Sequence, residues 1–284
     1  MIGTSIAVIL RIFSNPIANL FEKKASIESS SLYTNFYSYL IMAIATIPFL
    51  SKYDWTSLSA ECWGYALLAG LLCATARACM VKALQQGELS VLGPINSFKS
   101  VVGLVVAFFM LSEIPTIFGI IGMCLIIFGS RYIFDTLEEG FSLKLFKRQD
   151  INLRFAALIL TGIEAVILKK IILLSSFTIS FILWAWTGCI YTFLMILFIK
   201  RKYVPVKKDI IYQYFIIAIA LAVMQLSTNY VFLNMNVGYA LALFQLSSVV
   251  NLLFGIKFFT ETNLIKKLIG TLIMIIGSVI IILN

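Results

Sequence analysis

Long runs of apolar residues dominate the chain and are separated only by short polar stretches. Each run holds about 20 residues, the length that an α-helix needs to cross the hydrocarbon core of a bilayer. Within a run the apolar residues are continuous rather than alternating, which favours membrane helices over the strands of a barrel. The ten runs, numbered here as segments one to ten, are 2–21, 32–50, 62–84, 90–111, 115–134, 153–174, 177–199, 210–233, 238–259 and 264–283. The pattern predicts an all-α integral membrane protein with ten transmembrane helices.

Segments five and ten, with the residues before them, repeat one pattern. Residues 113–130 read EIPTIFGIIGMCLIIFGS and residues 261–278 read ETNLIKKLIGTLIMIIGS. Four pairs of identical residues are each separated by 148 positions: Glu113 and Glu261, Gly122 and Gly270, Gly129 and Gly277, and Ser130 and Ser278. This internal repetition indicates a duplicated unit of about 140 residues.

The duplication divides the chain into a first five-helix repeat (1–134), a linker (135–152) and a second five-helix repeat (153–284). Because five is an odd number, the second repeat enters the membrane in the opposite orientation to the first. Inverted repeats of this kind build transporters, which bind their substrate near the middle of the membrane where the halves meet.

Composition agrees with this architecture and argues against several function classes. Hydrophobic residues make up 61% of the chain and charged residues 12%, unlike a soluble globular domain. The chain has no His, and its five Cys residues lie inside apolar runs without metal-ligand spacing. We therefore expect no cofactor, no metal site and no enzymatic activity. The net charge of +9 does not indicate nucleic-acid binding, because no soluble basic domain carries it.

Positive charges fall mainly on one side of the predicted membrane. Of the 22 Lys and Arg residues, 14 lie at the odd-numbered connections, whereas only Lys52, Lys169 and Lys170 lie at the even-numbered ones. Cytoplasmic connections collect Lys and Arg, so the odd-numbered connections, including 135–152, are predicted to be cytoplasmic. Both termini are then predicted to be non-cytoplasmic.

Four charged side chains lie deep within the predicted segments: Arg11, Arg77, Lys99 and Glu164. A charge at this depth costs at least about 2.5–3.5 kcal/mol and should face protein or water. With Glu164 as the only acidic residue at mid-depth, an excess of two positive charges remains, which predicts an anionic ligand. Arg77 is the expected main anchor, because a guanidinium keeps its charge and binds an oxyanion through two hydrogen bonds.

Polar residues at helical spacing accompany these charges and form polar faces on several segments. For each amide alone, a hydrogen bond between helices explains its presence at least as well as contact with a substrate. As a set, the polar residues predict one substrate-binding site between the two repeats. Its candidate residues are Arg11, Asn15, Arg77, Asn96, Lys99, Glu164, Gln225, Asn229, Gln245 and Ser248.

The repeated Glu and Gly residues are assigned structural roles. Glu113 and Glu261 lie at helix junctions, where a carboxylate favours the positive N-terminus of the following helix; coupling of transport to protons is the alternative role. The Gly pairs of segments five and ten place two small residues on one helix face, which favours close helix packing over ligand contact.

Ten segments in two copies of five, a Glu closing the fourth segment of each copy and a Gly-x6-Gly pattern in the fifth resemble the EamA family of the drug/metabolite transporter superfamily. The resemblance rests on LSEIPTIFGIIGMCLIIFGS and FFTETNLIKKLIGTLIMIIGS and covers essentially the whole chain. It implies a carrier of small organic molecules in the cell (inner) membrane. The cavity of such a carrier is lined mainly by segments one, three, four, six, eight and nine.

Together these observations predict an alternating-access transporter of a small organic metabolite, an anion or a zwitterion with a carboxylate or phosphate. Its expected partners are the solute and the lipid bilayer, with protons as a candidate coupling ion and no nucleic acid; a monomer or weak dimer is the expected assembly. Two alternatives remain open. One is an exporter of amphipathic cations that binds them through Glu164, and the other is a flippase or accessory subunit acting on a lipid phosphate.

Overall fold

Long helices joined by short connections make up the computed structural model of the chain, which describes residues 2–99, 101–102, 116–138, 140, 142–199, 208–235 and 237–283. All regular secondary structure in these ranges is helical, and they contain no strand. The helices are α1 (Ile2–Glu28), α2 (Ser31–Leu50), α3 (Ala60–Gln86), α4 (Leu89–Leu92), α5 (Ile117–Phe134), α6 (Gln149–Leu174), α7 (Phe177–Ile199), α8 (Lys208–Asn234), α9 (Val237–Phe244), α10 (Ser247–Phe259) and α11 (Leu264–Leu283). Short 3-10 helices occupy Trp55–Ser57, Pro94–Ser97 and Leu143–Lys147.

Six helices in the described ranges are long and apolar enough to cross a bilayer. They are Gly3–Glu28, Ala60–Gln86, Ile117–Phe134, Phe177–Ile199, Ile210–Asn234 and Leu264–Ile281. Large apolar side chains cover their outer faces; Phe198, for example, is 82% exposed and Ile117 is 75% exposed. Contiguous apolar surface of this kind suits contact with lipid tails rather than water. The described part of the chain is all-helical and has the apolar helices of a membrane protein, as the sequence predicts.

Two helices extend beyond the predicted segments by four or more residues. Helix α1 continues through Pro16 to Glu28, whereas segment one ends at residue 21. Helix α6 begins at Gln149, four residues before segment six. Both extensions contain charged residues that the sequence pattern assigned to loops. In the structure these residues lie in helices that face the interior.

Segments four and nine, which correspond to each other in the two repeats, are interrupted in the structure. In segment four, α4 gives way to the 3-10 helix Pro94–Ser97, because Pro94 has no N–H group with which to continue α-helical hydrogen bonding. In segment nine, Gln245 and Leu246 form a turn between α9 and α10. Interruptions in membrane helices expose backbone groups and are typical of substrate sites in transporters.

Helices α5 and α11 contact each other closely through the repeated Gly residues. A Cβ atom built on Gly122 would lie 2.6 Å from the carbonyl oxygen of Gly277, and one built on Gly277 would lie 2.6 Å from that of Gly122. Gly129 and Gly270 form a second reciprocal pair, with corresponding distances of 2.8 and 2.6 Å. The packing role predicted for these glycines is confirmed, and the order of the pairs means that the two helices run in opposite directions.

The other long helices also pair across the two halves of the chain. Helix α1 packs chiefly against α8, α3 against α6, and α2 against α7. One apolar core joins Ala18, Tyr39, Trp184 and Leu221 between α1, α2, α7 and α8, and a second joins α3, α4, α5, α6 and α11. The polar faces of α1, α3, α6 and α8 are left to enclose a central cavity.

Candidate functional site

A cavity of about 130 Å³ lies between the two halves of the chain. Its described walls come from α1, α3, α6, α8, α9 and α10, from Trp184 of α7, and from residues between Gly93 and Lys99. The walls include residues from every segment that the family resemblance implied, one, three, four, six, eight and nine. Eight of the ten candidate residues line the cavity: Arg11, Asn15, Arg77, Asn96, Lys99, Glu164, Gln225 and Gln245.

Arg11 is held in the cavity wall by neutral partners. Its Nε atom donates a hydrogen bond to Oγ1 of Thr228 at 2.9 Å, and its guanidinium carbon lies 4.9 Å from the centre of the Phe244 ring. Its Nη1 atom is buried and has no hydrogen-bond partner among the described residues. A hydroxyl and an aromatic face orient the guanidinium but bring no negative charge. Arg11 therefore presents an oriented cation with an unused donor.

Arg77, the expected main anchor, has a carboxylate partner. Its Nη2 atom forms an ion pair with Oε1 of Glu22, and the two side chains are only 10% and 2% exposed. Glu22 is therefore a buried carboxylate that the charge count made from the sequence left out. Sequence reasoning missed Glu22 because segment one was ended one residue before it. Its position eleven residues after Arg11, three helical turns along the same face of α1, was the available signal.

Arg154 lines the cavity but was missed by sequence reasoning, because it was counted among the loop charges. Helix α6 begins five residues before it, and the side chain is only 6% exposed. Its Nε atom donates to the carbonyl oxygen of Leu92 at 2.8 Å, and Nη2 donates to Oδ1 of Asn96 at 3.0 Å. Thr161 and Glu164 follow it by seven and ten residues, a spacing that places all three on one helix face and could have revealed the site.

Lys99 and Glu164 are electrostatic neighbours in the cavity. The side chain of Lys99 passes Gly162 of α6, whose Cβ position would lie 3.8 Å from Cγ of Lys99. Glu164 is 8% exposed, interacts electrostatically with Lys99, Arg77 and Arg11, and has no hydrogen-bond partner for Oε1 among the described residues. The carboxylate thus acts on these cations through space, and one of its oxygens remains available to a solute.

Amide side chains of the cavity bind one another across the two halves. Nδ2 of Asn19 donates to Oδ1 of Asn251 at 3.1 Å, and Nδ2 of Asn96 donates to Oε1 of Gln245 at 3.1 Å. The first pair joins α1 to α10, and the second joins the two interrupted segments. These bonds hold the wall of the cavity together where the α-helical hydrogen bonding is broken.

Two candidate residues, Asn229 and Ser248, lie outside the cavity wall. Asn229 accepts a hydrogen bond from Nε2 of Gln225 at 3.0 Å and donates to the carbonyl oxygen of Phe177 at 3.0 Å. Ser248 donates to the carbonyl oxygen of Gly93 at 3.3 Å. Both side chains are fully buried, so the structure gives them roles in joining helices.

Glu261 connects the two halves at one end of the bundle. Its Oε1 atom accepts hydrogen bonds from Nζ of Lys23 and from the backbone N–H of Leu89, and Oε2 accepts from the N–H of Ser90, all at 2.8 Å. The sequence predicted that Glu261 would cap the helix that follows it; instead it caps α4, whose free N–H groups point at it. Burial disfavours the ionised carboxylate, but Lys23 and Ser90 hold the pKa of Glu261 below its usual range. Glu113 lies outside the described residues.

Further ion pairs join the same end of the bundle. Lys267 is only 1% exposed, forms an ion pair with Glu88 and donates a hydrogen bond to Oγ of Ser90 at 2.8 Å. Lys23 also donates to the carbonyl oxygen of Gly87 at 2.7 Å. The sequence pattern assigned both lysines to loops, but the structure uses them to hold α1, α4 and α11 together. The contacts close the bundle at the end formed by the odd-numbered connections.

Comparisons with known proteins agree with the fold and with the motifs. Residues 4–134 match the family model of the EamA-like transporter family, which confirms the resemblance inferred from the motifs for this part of the chain. A comparison with curated protein sequences finds no significant match. A protein of known crystal structure superposes with a TM-score of 0.61 at 11% identity, over 97% of this chain and 96% of its own. At that identity the likeness shows the fold alone.

Proposed function

We propose that the chain, whose residues 4–134 match the model of the EamA-like transporter family, is an alternating-access transporter of a small organic anion. In this proposal ten helices form two five-helix repeats of opposite orientation, 1–134 and 153–284, in the cell membrane. The cytoplasmic side carries the linker 135–152, and both termini lie on the other side. The substrate binds in the central cavity through a carboxylate or phosphate group.

Three structural features support the inverted repeat. The Gly pairs of α5 and α11 make reciprocal contacts, as two related helices do when they meet at a two-fold axis. Segments four and nine are both interrupted, and the turn at Gln245 and Leu246 corresponds to residues 97 and 98, at the end of the 3-10 helix Pro94–Ser97. The first helix of each half packs on the third long helix of the other half, α1 on α8 and α6 on α3.

The geometry of Arg11 carries the substrate proposal. Its guanidinium is oriented by Thr228 and Phe244, and its buried Nη1 atom lacks a partner among the described residues. A buried donor without a partner costs about 1–3 kcal/mol, and more when it is charged. An oxyanion bound here would satisfy the donor and neutralise the charge. We therefore assign the role of main anchor to Arg11 rather than to Arg77, which Glu22 already neutralises.

The ion pairs around Glu261 fit a carrier that is closed on one side. Lys23, Glu261, Lys267 and Glu88 join α1, α4 and α11 at the end formed by the odd-numbered connections. These contacts must separate for a solute to leave the cavity at that end. Exchange between a state in which they are made and a state in which they are broken is what alternating access requires.

Glu164 favours a second candidate function, the export of amphipathic cations. Its Oε1 atom is buried without a partner among the described residues, and Trp184 and Phe244 supply aromatic surface to the same cavity. A carboxylate beside aromatic rings is a suitable site for an organic cation. The positively charged neighbours of Glu164 make this function less favourable than anion transport.

The two functions are separated by thermal melting of the detergent-purified protein. A ligand that binds only the folded state raises the melting temperature in proportion to RT ln(1 + [L]/Kd). We expect carboxylates or organic phosphates to stabilise the native protein and the Arg131→Gln control, whose side chain is 66% exposed on α5, but not Arg11→Gln. Solutes that stabilise the protein should then exchange across proteoliposome membranes in a counterflow assay.

Stabilisation by quaternary amines with no response to anions would favour the cation exporter. If anions raise the melting temperatures of Arg11→Gln and the native protein equally, Arg11 does not bind the substrate.

A further inference from the structure

Among the described residues, the cavity lining and its direct ion-pair partner comprise four cations and two carboxylates. The cations are Arg11, Arg77, Lys99 and Arg154, and the carboxylates are Glu22, which contacts Arg77, and Glu164. The sign and number of the charges that a solute must carry depend on how these groups compensate one another.

Four of the six groups cancel in pairs. Arg77 is neutralised by its direct ion pair with Glu22. Lys99 passes α6 at Gly162, two residues before Glu164, and the two charged groups attract each other. If a proton passes from Lys99 to Glu164, two neutral groups replace two opposite charges, so the pair contributes no net charge in either state.

Arg11 and Arg154 remain, and their charges are permanent because a guanidinium keeps its proton at any accessible pH. Within the described ranges, neither has a carboxylate oxygen within salt-bridge distance. The partners of Arg154 are a backbone carbonyl and an amide oxygen, and those of Arg11 are a hydroxyl and an aromatic ring. Neutral partners orient these groups but leave two positive charges inside a membrane protein, where they are costly.

The two guanidinium groups belong to different levels of the bundle. Lys23 contacts Gly87, and Nε2 of Gln86 donates to Oε1 of Gln149 at 3.1 Å, so the ends of α1 and α3 meet the beginning of α6. Arg11 precedes Lys23 by twelve residues, a rise of about 18 Å, whereas Arg154 follows Gln149 by five residues, a rise of about 8 Å. Their Cα atoms therefore differ in level by roughly 10 Å along the bundle. Lys99 lies within electrostatic range of both.

On the basis of the proposed anion transport, we infer that the substrate is a divalent organic anion with its two negative groups at separate positions. One group binds Arg11 and the other binds Arg154. Carboxylates and phosphate monoesters both provide suitable groups, because each matches the planar fork of a guanidinium. A molecule with a single charge would leave one of the two arginines uncompensated.

The test measures affinity as a function of charge at constant length. The probes are α,ω-dicarboxylates of four to eight carbons, each compared with its monoamide, which has the same length but one negative charge. Binding to the purified full-length protein is measured by calorimetry at pH 7. For the best-fitting length, we expect the dicarboxylate to bind at least tenfold more tightly than its monoamide.

Variants of Arg154 test whether this residue binds the second negative group of the dicarboxylate. Arg154→Gln should reduce the ratio of the two affinities to about one, mainly by weakening the dicarboxylate. Arg154→Lys keeps the charge and should retain most of the ratio. Arg131→Gln removes one exposed guanidinium that does not line the cavity and should leave the ratio unchanged. The ratio in the native protein tests the inference even if Arg154→Gln does not fold.

The inference is overturned if dicarboxylates and monoamides bind equally at every length, or if Arg154→Gln keeps the native ratio. In both cases anion transport itself still stands, because carboxylates bind. Failure of all carboxylates and of glycerol phosphate to bind would instead reject the proposed function, and the inference with it.

Discussion

Replacing Glu261 by Gln alters a buried carboxylate that accepts three hydrogen bonds from other parts of the chain. The substitution keeps the size of the side chain but removes its charge and turns one acceptor oxygen into an NH2 group. In the native protein the two oxygens accept three hydrogen bonds, from Lys23, Leu89 and Ser90. The side chains of Lys23 and Glu261 are only 13% and 5% exposed, so water can replace little of what is lost.

The expected loss of stability follows from these contacts. The remaining oxygen of Gln can still accept from Lys23 and Leu89, but the new NH2 group meets the N–H of Ser90, and two donors do not bond. A hydrogen bond to a charged group contributes about 1.5–3 kcal/mol. Adding about 1 kcal/mol for the weaker attraction to Lys23, we expect Glu261→Gln to lower the free energy of unfolding by about 3 kcal/mol.

Thermal melting in detergent measures this loss, with Glu138→Gln as the control for removing an exposed carboxylate. A double-mutant cycle with Lys23→Met isolates the Lys23–Glu261 contact and should give a coupling of at least 1 kcal/mol, typical of contacting residues. Melting of Glu261→Gln at the native temperature would refute the reasoning, and so would exact additivity in the cycle.

The pH dependence of the free energy of unfolding gives a second check on the role of Glu261. Because its pKa is lower in the folded state, the stabilisation is complete at pH values above the ordinary Glu range and is lost as the pH falls through the lowered value. The difference in stability between the native protein and Glu261→Gln should therefore be largest near neutral pH and shrink on acidification. A difference that grows with acidification would contradict the assignment.

Three further predictions concern packing, charge and topology. Gly122→Ala should cost about 1–3 kcal/mol through overpacking against α11, whereas the control Gly64→Ala should not destabilise, because no atom lies within 4 Å of its Cβ position; equal melting temperatures would refute the close contact. Glu22→Gln should cost about 3–5 kcal/mol, since it leaves Arg77 buried without its partner, and replacing both residues by Met should cost less than that; an unchanged melting temperature would contradict the ion pair. Lys144→Cys in a cysteine-free background should resist a membrane-impermeant maleimide on intact cells, and strong labelling would reverse the predicted orientation.

The sequence alone predicted the helical membrane architecture, for a physical reason. A lipid-exposed backbone must satisfy its hydrogen bonds internally, so a continuous apolar run of about 20 residues has little choice but to form a helix. The contact between α5 and α11 was also predictable, because Gly122 and Gly129 recur in register at Gly270 and Gly277 and only small residues allow two backbones to approach so closely. Polar residues deep within apolar runs, such as Arg11 and Glu164, likewise indicated the central cavity.

The tertiary structure decided which charges belong to the site. Hydropathy describes the average of a segment and assigns charges near its ends to loops, and for that reason Glu22, Arg154 and Lys267 were placed outside the interior. Their partners are distant in sequence: Glu22 and Arg77 are 55 positions apart, and Lys267 and Glu88 are 179 apart. An ion pair offsets the cost of burying both charges, so a charged residue enters the interior only where folding brings its partner. Helical spacing could have placed Glu22 and Arg154 on the faces of Arg11 and Glu164, but the partner of each charge follows only from the packing of distant helices against each other.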